Sequence, residues 1–334
     1  ILGGNVMQNI VVYGLGDLGR KIAKELKDRQ NKNQFRIVAF MDKQDLNAQF
    51  EFTVLKPEDL KHLQYDNICL TSEKWFADIS EELQHKYGVS RDKIIHFKQL
   101  INDENYYCNL CNAKVPFLLE FGVDSPVFSK RKIIGGGVRK NCLCPVCGGK
   151  DRERWLKYVL NNKINLLDES VTVLHFAPEK PIENIFRNKR KLKYITADIE
   201  AGRADKVEDI THISFPDRYF DYIICNHVLE HVKDENSAFM ELKRCLKEKG
   251  KVIFSVPICW EINTFEDGSI ITSEDRVREY GQEDHVRLYG KDLKTRLEKF
   301  GFHVEYYQVD KVLSEEEIEM MGLIPEDTIW ILTL

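Results

Sequence analysis

Five of the nine cysteines in this 334-residue chain fall between Cys108 and Cys147. Four of them pair as Cys108-Asn-Leu-Cys111 and Cys144-Pro-Val-Cys147. Two such knuckles roughly 30 residues apart have metal-ligand spacing. They can present four thiolates to one tetrahedral Zn²⁺ with bonds near 2.3 Å. Gly148 and Gly149 permit a tight turn that brings backbone amides toward the sulfurs. A four-cysteine set leaves no open coordination position, so the metal would be structural. Cys142 is a spare thiol that could stand in for a knuckle cysteine. The same pattern also fits a ribbon that has lost its metal, or a module packed by buried thiols. Gly135, Gly136 and Gly137 read as a mobile loop inside this module. Asp151, Arg152, Glu153 and Arg154 read as the solvated first turn of a following helix.

A second constellation lies near the start. Gly14-Leu-Gly16-Asp-Leu-Gly19 follows a β-branched run at residues 9–13 and precedes the helical spacing of Ile22, Ala23 and Leu26. A second apolar run, residues 35–41, ends on Asp42. This is the dinucleotide-type arrangement: glycines for close backbone approach, a helix N-terminus toward phosphate, and an acid about 20 residues on for a ribose diol. A plain strand-to-helix turn would show the same glycines. Residues 67–71 and 93–97 extend the same parallel sheet, with a helix around 79–87 between them.

These two constellations need elements to hold them, and the C-terminal half supplies the third part. Residues 171–176 are a buried strand. Residues 193–196 lead to Asp198, and 205–207 lead to Asp209. Residues 220–225 form the next strand. A helix follows with Ala238, Phe239, Leu242, Cys245 and Leu246 on one face and an end at Lys249-Gly250. Strands at 251–256, 302–309 and 328–334 complete a doubly wound sheet closed by a hairpin-like pair. The fold expected is α/β: two Rossmann-like doubly wound domains, 1–100 and 151–334, joined by a small zinc-ribbon-like module at 101–150.

Composition bounds the rest. Net charge is -5 and the pI about 6.1, which gives no footprint for nucleic acid. No apolar run is long enough to span a bilayer. Residues 1–10 lack a basic and apolar export signal, so a cytoplasmic location and reduced thiols are expected. Met7 reads as a start, with residues 1–6 as a leader.

The stretches VLHFAPE, YITADIE, EDITHISFPDRYFDYIICNHVLEHV, LKEKGKVIFSVPI and REYGQEDHVRLYG resemble the class I, Rossmann-like S-adenosylmethionine methyltransferases. The resemblance is nearest to the subfamily with a zinc-ribbon-like CPxCG segment before the fold, and it spans nearly the whole C-terminal domain. It implies that Asp198 holds the ribose hydroxyls and that Asp209, with Ile210, meets the adenine. It also implies that Asn226 and His227 run beside the methionine part. The usual acid-x-Gly-x-Gly motif is here His175-Phe-Ala177-Pro178-Glu179, so Ala177, Pro178 and Glu179 take the glycine loop's place. Pro178 removes one amide donor, which leaves the holder of the methionine carboxylate open.

The N-terminal segment, through its strand-glycine-helix start and the stretches FRIVAFMD, ICLTS and DKIIHF, resembles the small Rossmann-like domain at the front of sugar O-acyltransferases and of some sugar-modifying methyltransferases. That implies a cell-surface polysaccharide pathway, with a nucleotide-sugar or a partner protein bound at Gly14, Gly16, Gly19 and Asp42.

Methyl transfer to a hydroxyl needs alignment and a base. His227 is the first candidate. His285 could also take a proton, and Arg287 or Arg276 could hold an anionic acceptor. The alternative for His285 and Arg287 is packing within an insertion, and for His231 a helical position one turn after His227. Glu230 could cap the helix or contact the cofactor. The expected function is O- or N-methylation of a sugar or sugar-linked acceptor. Two rivals remain: an NAD oxidoreductase using the first fingerprint, and a non-catalytic scaffold.

Overall fold

Strand β1, Gln8–Tyr13, buries its last four residues, and its chain then turns at Gly14 into helix α1, Asp17–Arg29. Gly14 has φ +97°, and a Cβ on Gly19 would come within 2.0 Å of the Gly14 carbonyl oxygen. Glycine is therefore required at both positions by the close packing of the turn on its own helix. In the computed structural model the described residues are 7–101 and 104–334, so the leader suggested for 1–6 lies outside them. The chain divides into two compact units, one made of residues 1–107, 113–119 and 143–148 and the other of 108–112, 120–142 and 149–334.

The first unit carries a five-stranded sheet. Its other strands are β2 (Phe35–Met41), β3 (Val54–Leu55), β4 (Asn67–Leu70) and β5 (Ile94–His96). The order is β3-β2-β1-β4-β5, and every pairing is parallel. Parallel sheets covered on both faces carry near-continuous apolar runs, as β1 and β4 do here. Helix α1 buries Ile22, Ala23 and Leu26. Helix α2, Phe76–Tyr87, stops at Gly88, which closes it in the left-handed conformation.

The second unit carries a seven-stranded sheet. Its strands are β6 (Thr172–Phe176), β7 (Lys193–Asp198), β8 (Lys206–Val207), β9 (Phe220–Ile224), β10 (Leu246–Phe254), β11 (His303–Gln308) and β12 (Thr328–Thr333). The order is β8-β7-β6-β9-β10-β12-β11. The first five are parallel, and β12 is antiparallel to both neighbours. Leu174, Ile223, Val252, Phe254, Trp330 and Leu332 belong to its continuous core. The chain leaves β6 toward one side and resumes at β9 on the other, which places a crevice beyond the carboxyl ends of these strands.

Three local expectations are corrected. Helix α3, Asp151–Asn162, has a first turn that is buried at Asp151, Glu153 and Arg154 rather than solvated. Asp151 receives Arg139 Nε at 2.7 Å and the Cys142 thiol at 3.1 Å, while Arg154 donates to the carbonyls of Met321, Gly149, Asn141 and Gly322. Charges at helical spacing resemble a wet face in a sequence, and only the fold supplies the carbonyls that satisfy them. Next, residues 135–137 are packed, with Gly136 and Gly137 against the Phe128 ring and Ile134 bridged to Ile258. Finally, helix α4, Glu235–Cys245, ends before Lys249-Gly250. The amides of Arg218 and Tyr219 take its last carbonyls, and Leu246 pairs with Phe220 as strand.

Candidate functional site

Beyond β6, β7 and β9 lies a cavity of about 640 Å³ within the second unit. Phe176 and Ala177 leave β6 into it. Asp198 closes β7, and its Oδ1 accepts the Glu200 amide at 2.9 Å. Asp209 lines it from the next turn, accepting the amide and hydroxyl of Thr211 at 2.8 and 2.7 Å. Ile199, Ile210 and Val228 add apolar wall, and His227, His231 and Asp284 line it too. Two acceptor carboxylates beside apolar faces suit a nucleoside: the acids meet hydroxyl or amine donors and the aliphatic chains meet a flat ring.

Two of these wall residues hold unusual backbone. Ala177 has φ +46° and its amide donates to Ala197 at 2.8 Å; His227 has φ +51° and its amide donates to Ser255 at 2.8 Å. Both lie just after strands, where the turn must present a side chain to the cavity.

His227 Nδ1 lies 3.1 Å from Glu230 Oε1. Burial, together with the Arg152 charge, pushes the imidazole well below the usual histidine range, so it is neutral at pH 7. Burial pushes Glu230 up to about 8. Gly135 lies against the imidazole: a Cβ there would sit 3.4 Å from its Cε1.

In the middle of the chain, the Sγ atoms of Cys108, Cys111, Cys144 and Cys147 lie within 4.8 Å of one another. A tetrahedral Zn²⁺ with 2.3 Å bonds spaces sulfurs about 3.8 Å apart, so the donor set fits. The Gly148 amide closes the knuckle onto the Cys144 carbonyl, and the Val146 amide points to Cys144 Sγ at 3.4 Å. Cys142 is not in the group, being engaged with Asp151.

Residues 149–307 match a family model described as a methyltransferase domain, and residues 6–95 match one described as C2185-like, N-terminal. The chain is a methyltransferase enzyme. No curated relative matches it. Among solved structures it is similar to an S-adenosylmethionine-dependent methyltransferase from Archaeoglobus fulgidus, at 18% identity over 55% of this chain and 95% of that one, TM-score 0.37. It is also similar to the O-methyltransferase of a Brevibacillus brevis trans-AT PKS multienzyme in complex with S-adenosyl-L-homocysteine, at 16% identity over 55% and 73%, TM-score 0.37. A third is the YcgJ protein from Bacillus subtilis, at 14% identity over 53% and 98%, TM-score 0.34.

Other residues singled out in the sequence are placed differently in this methyltransferase. Pro178 and Glu179 do not line the cavity; the Glu179 carboxylate meets His175 Nε2 at 2.9 Å. Asn226 is buried, with Oδ1 on the Ser255 hydroxyl at 3.2 Å and Nδ2 without a hydrogen-bond partner among the described residues. Arg287 is buried and donates to the carbonyls of Leu229, Val232 and Lys233 and to Glu266, so no donor is left for an acceptor. An adjoining cavity of about 470 Å³, which shares Lys233 and Asp234 with the first, reaches Arg287, Glu266 and Arg296 but not the strand-end carboxylates. His285 is buried against the His231 ring, with centroids 4.7 Å apart. His231 is not helical, because helix α4 begins only after Asp234.

In the first unit, Asp42 Oδ2 accepts the Leu15 amide at 2.6 Å, and the Thr71 hydroxyl donates to the Gly14 carbonyl. The glycine turn is thereby tied to its own sheet.

Sequence reasoning does not single out Arg152 as a site residue. Its charge acts on His227, Glu230, Glu179 and Asp327, and its Nε is buried without a partner among the described residues. The sequence offers one faint signal, a basic residue shortly after the CPVCGG knuckle.

Proposed function

We propose that this methyltransferase moves a methyl group from S-adenosylmethionine to an oxygen or nitrogen of a sugar or sugar-linked acceptor. The observation that carries the donor assignment is the gathering of Ala177, Asp198, Asp209, Ile210 and His227 on one 640 Å³ cavity. When bound, the donor supplies an electrophilic methyl on a sulfonium, and an in-line displacement follows if the acceptor is aligned.

Asp198 would hold the ribose hydroxyls, and Asp209 with Ile210 the adenine. Asn226 backs the His227 turn through Ser255 rather than facing the cavity. Arg152 fits the methionine carboxylate, the group whose holder the sequence leaves open: it is a cation with an unpartnered buried nitrogen. His227 is neutral and oriented through Nδ1 by Glu230, so a ring nitrogen can take the proton of an acceptor hydroxyl.

A four-thiolate zinc site at Cys108, Cys111, Cys144 and Cys147 would staple the central module. The N-terminal unit would recruit the acceptor, as a nucleotide-sugar or through a partner protein. Support for a sugar acceptor is the sequence resemblance of that unit. Calorimetry with S-adenosylmethionine, followed by mass spectrometry of nucleotide-sugars incubated with enzyme and donor, tests both halves. Absence of donor binding overturns the donor site, and donor binding with no methylated sugar overturns the acceptor class.

A further inference from the structure

Glu230, His231 and His285 each offer one ligand atom, and the three atoms lie within 4.8 Å of one another. Of the three, the methyl transfer described above uses only Glu230, through the oxygen that orients His227. Glu230 and His285 are buried, at 1% and 3% exposure. Glu230 Oε1 faces His227, but Oε2 is buried with no hydrogen-bond partner among the described residues. A buried carboxyl oxygen left unmet is costly, and a cation would satisfy it.

The surroundings of His231 are those of a ligand. Its Nδ1 lies 3.0 Å from Asp284 Oδ2. A carboxylate or carbonyl on one ring nitrogen fixes the tautomer and leaves the lone pair on the other, the usual outer support of a metal-bound imidazole. The rings meet nearly edge to face, at 83°, so they converge on one region without stacking.

We propose that Glu230, His231 and His285 bind one divalent first-row transition metal ion at the edge of the methyl-donor cavity. Two imidazoles and one carboxylate are the ligand set of open, three-ligand sites, which keep positions for water or substrate oxygen. The set is too nitrogen-rich for Ca²⁺ and unlike the four-thiolate set in the middle of the chain. Tetrahedral bonds of about 2.0–2.1 Å place ligand atoms roughly 3.4 Å apart, inside the 4.8 Å within which these three atoms lie. His231 and Asp284 line the cavity with Asp198 and Asp209, so the ion would border it. The ion would there hold an acceptor oxygen, a pair of neighbouring hydroxyls being the fitting chemistry. Only this last assignment rests on the proposed function; the ion site itself does not.

The probe is Mn²⁺, which prefers oxygen and nitrogen ligands over thiolates. The full chain, loaded with one equivalent of Zn²⁺ for the four thiols and no more, is titrated with Mn²⁺ while electron paramagnetic resonance reads the free ion. The expected result is about one bound Mn²⁺ per chain. Affinity should fall at least tenfold in His285→Ala and in His231→Gln, and several-fold in Asp284→Asn, which removes only the outer support. Circular dichroism and S-adenosylmethionine calorimetry on the same variants report folding and donor binding independently. His231→Gln changes the most exposed ligand and so keeps the test alive if His285→Ala fails to fold. Equal Mn²⁺ affinity in wild type and folded His231→Gln, or no binding to wild type at about 1 mM, overturns the site. Either result with donor binding intact leaves the methyltransferase reading standing.

Discussion

The carboxylate of Asp42 and the backbone amide of Leu15 are 2.6 Å apart. An acid at the end of β2 and an amide inside the Gly14–Gly19 turn are thus joined directly. Its place in the sequence suggests a ribose for that acid; in the fold it fastens the turn between β1 and α1. Asp42→Ala should therefore destabilise the first unit by about 1.5–3 kcal/mol, the range for a hydrogen bond to a charged group. Donor affinity should stay unchanged. Urea melts and calorimetry check both, and loss of nucleotide-sugar binding without loss of stability would return the acid to a ligand role.

Asp198→Ala should weaken S-adenosylmethionine binding by roughly 10- to 100-fold, corresponding to charge-assisted hydrogen bonds to a ribose. Arg152→Ala should weaken it too, and the effect should be smaller for a donor analogue lacking the carboxylate. Calorimetric affinity for both ligands separates the two residues. An Arg152 variant that loses the two ligands equally would place the guanidinium elsewhere than on the carboxylate.

Elemental analysis should find about one zinc per chain at the four thiols, measured in metal-purged buffer without added Mn²⁺ or excess Zn²⁺. Cys144→Ser should release it and lower the melting temperature, because the metal's binding energy is also folding energy. Cys142→Ser should keep the zinc, since that thiol meets Asp151 instead. Zinc loss from the Cys142 variant alone would redraw the ligand set.

Asp327 supplies a pH test. Burial first, and then the Asp151 charge, pushes its carboxyl up to about 7, against about 3.9 in an unfolded chain. Between these values the folded protein keeps a proton that the unfolded chain releases, so stability falls as pH rises from about 4 to 7. Its contribution is whole below that window and gone above it. Asp327→Asn, which can still accept the Thr328 amide, should raise the melting temperature more at pH 8 than at pH 4. Calorimetric scans across that range check it; equal shifts at the two pH values would show that Asp327 is ionised in the fold at both.

The strand runs of both sheets are legible in the sequence because parallel strands covered on both faces announce themselves as unbroken apolar stretches. Asp198 and Asp209 are legible through the stretches that carry them. What escapes is whatever depends on side chains meeting across sequence. Arg152 looks like its neighbours Asp151, Glu153 and Arg154 until the fold spends those on partners of their own. Arg287 looks like a ligand holder because nothing near it in the chain names the three carbonyls that consume it. Glu230 and His231 are far enough from His285 in sequence that their convergence is a property of the turn after β9 and the segment after Tyr280.

The left-handed backbone at Ala177 and His227 sets a limit on engineering. Glycine would relieve roughly 1–2 kcal/mol of left-handed strain at either turn, offset in part by about 0.4–1 kcal/mol from the freer unfolded chain. At His227 that gain would come with loss of the imidazole, whereas at Ala177 only a methyl leaves the wall. Selection for heat resistance alone should therefore accept Ala177→Gly readily, and variants that stay active should keep position 227 in its uncomfortable geometry.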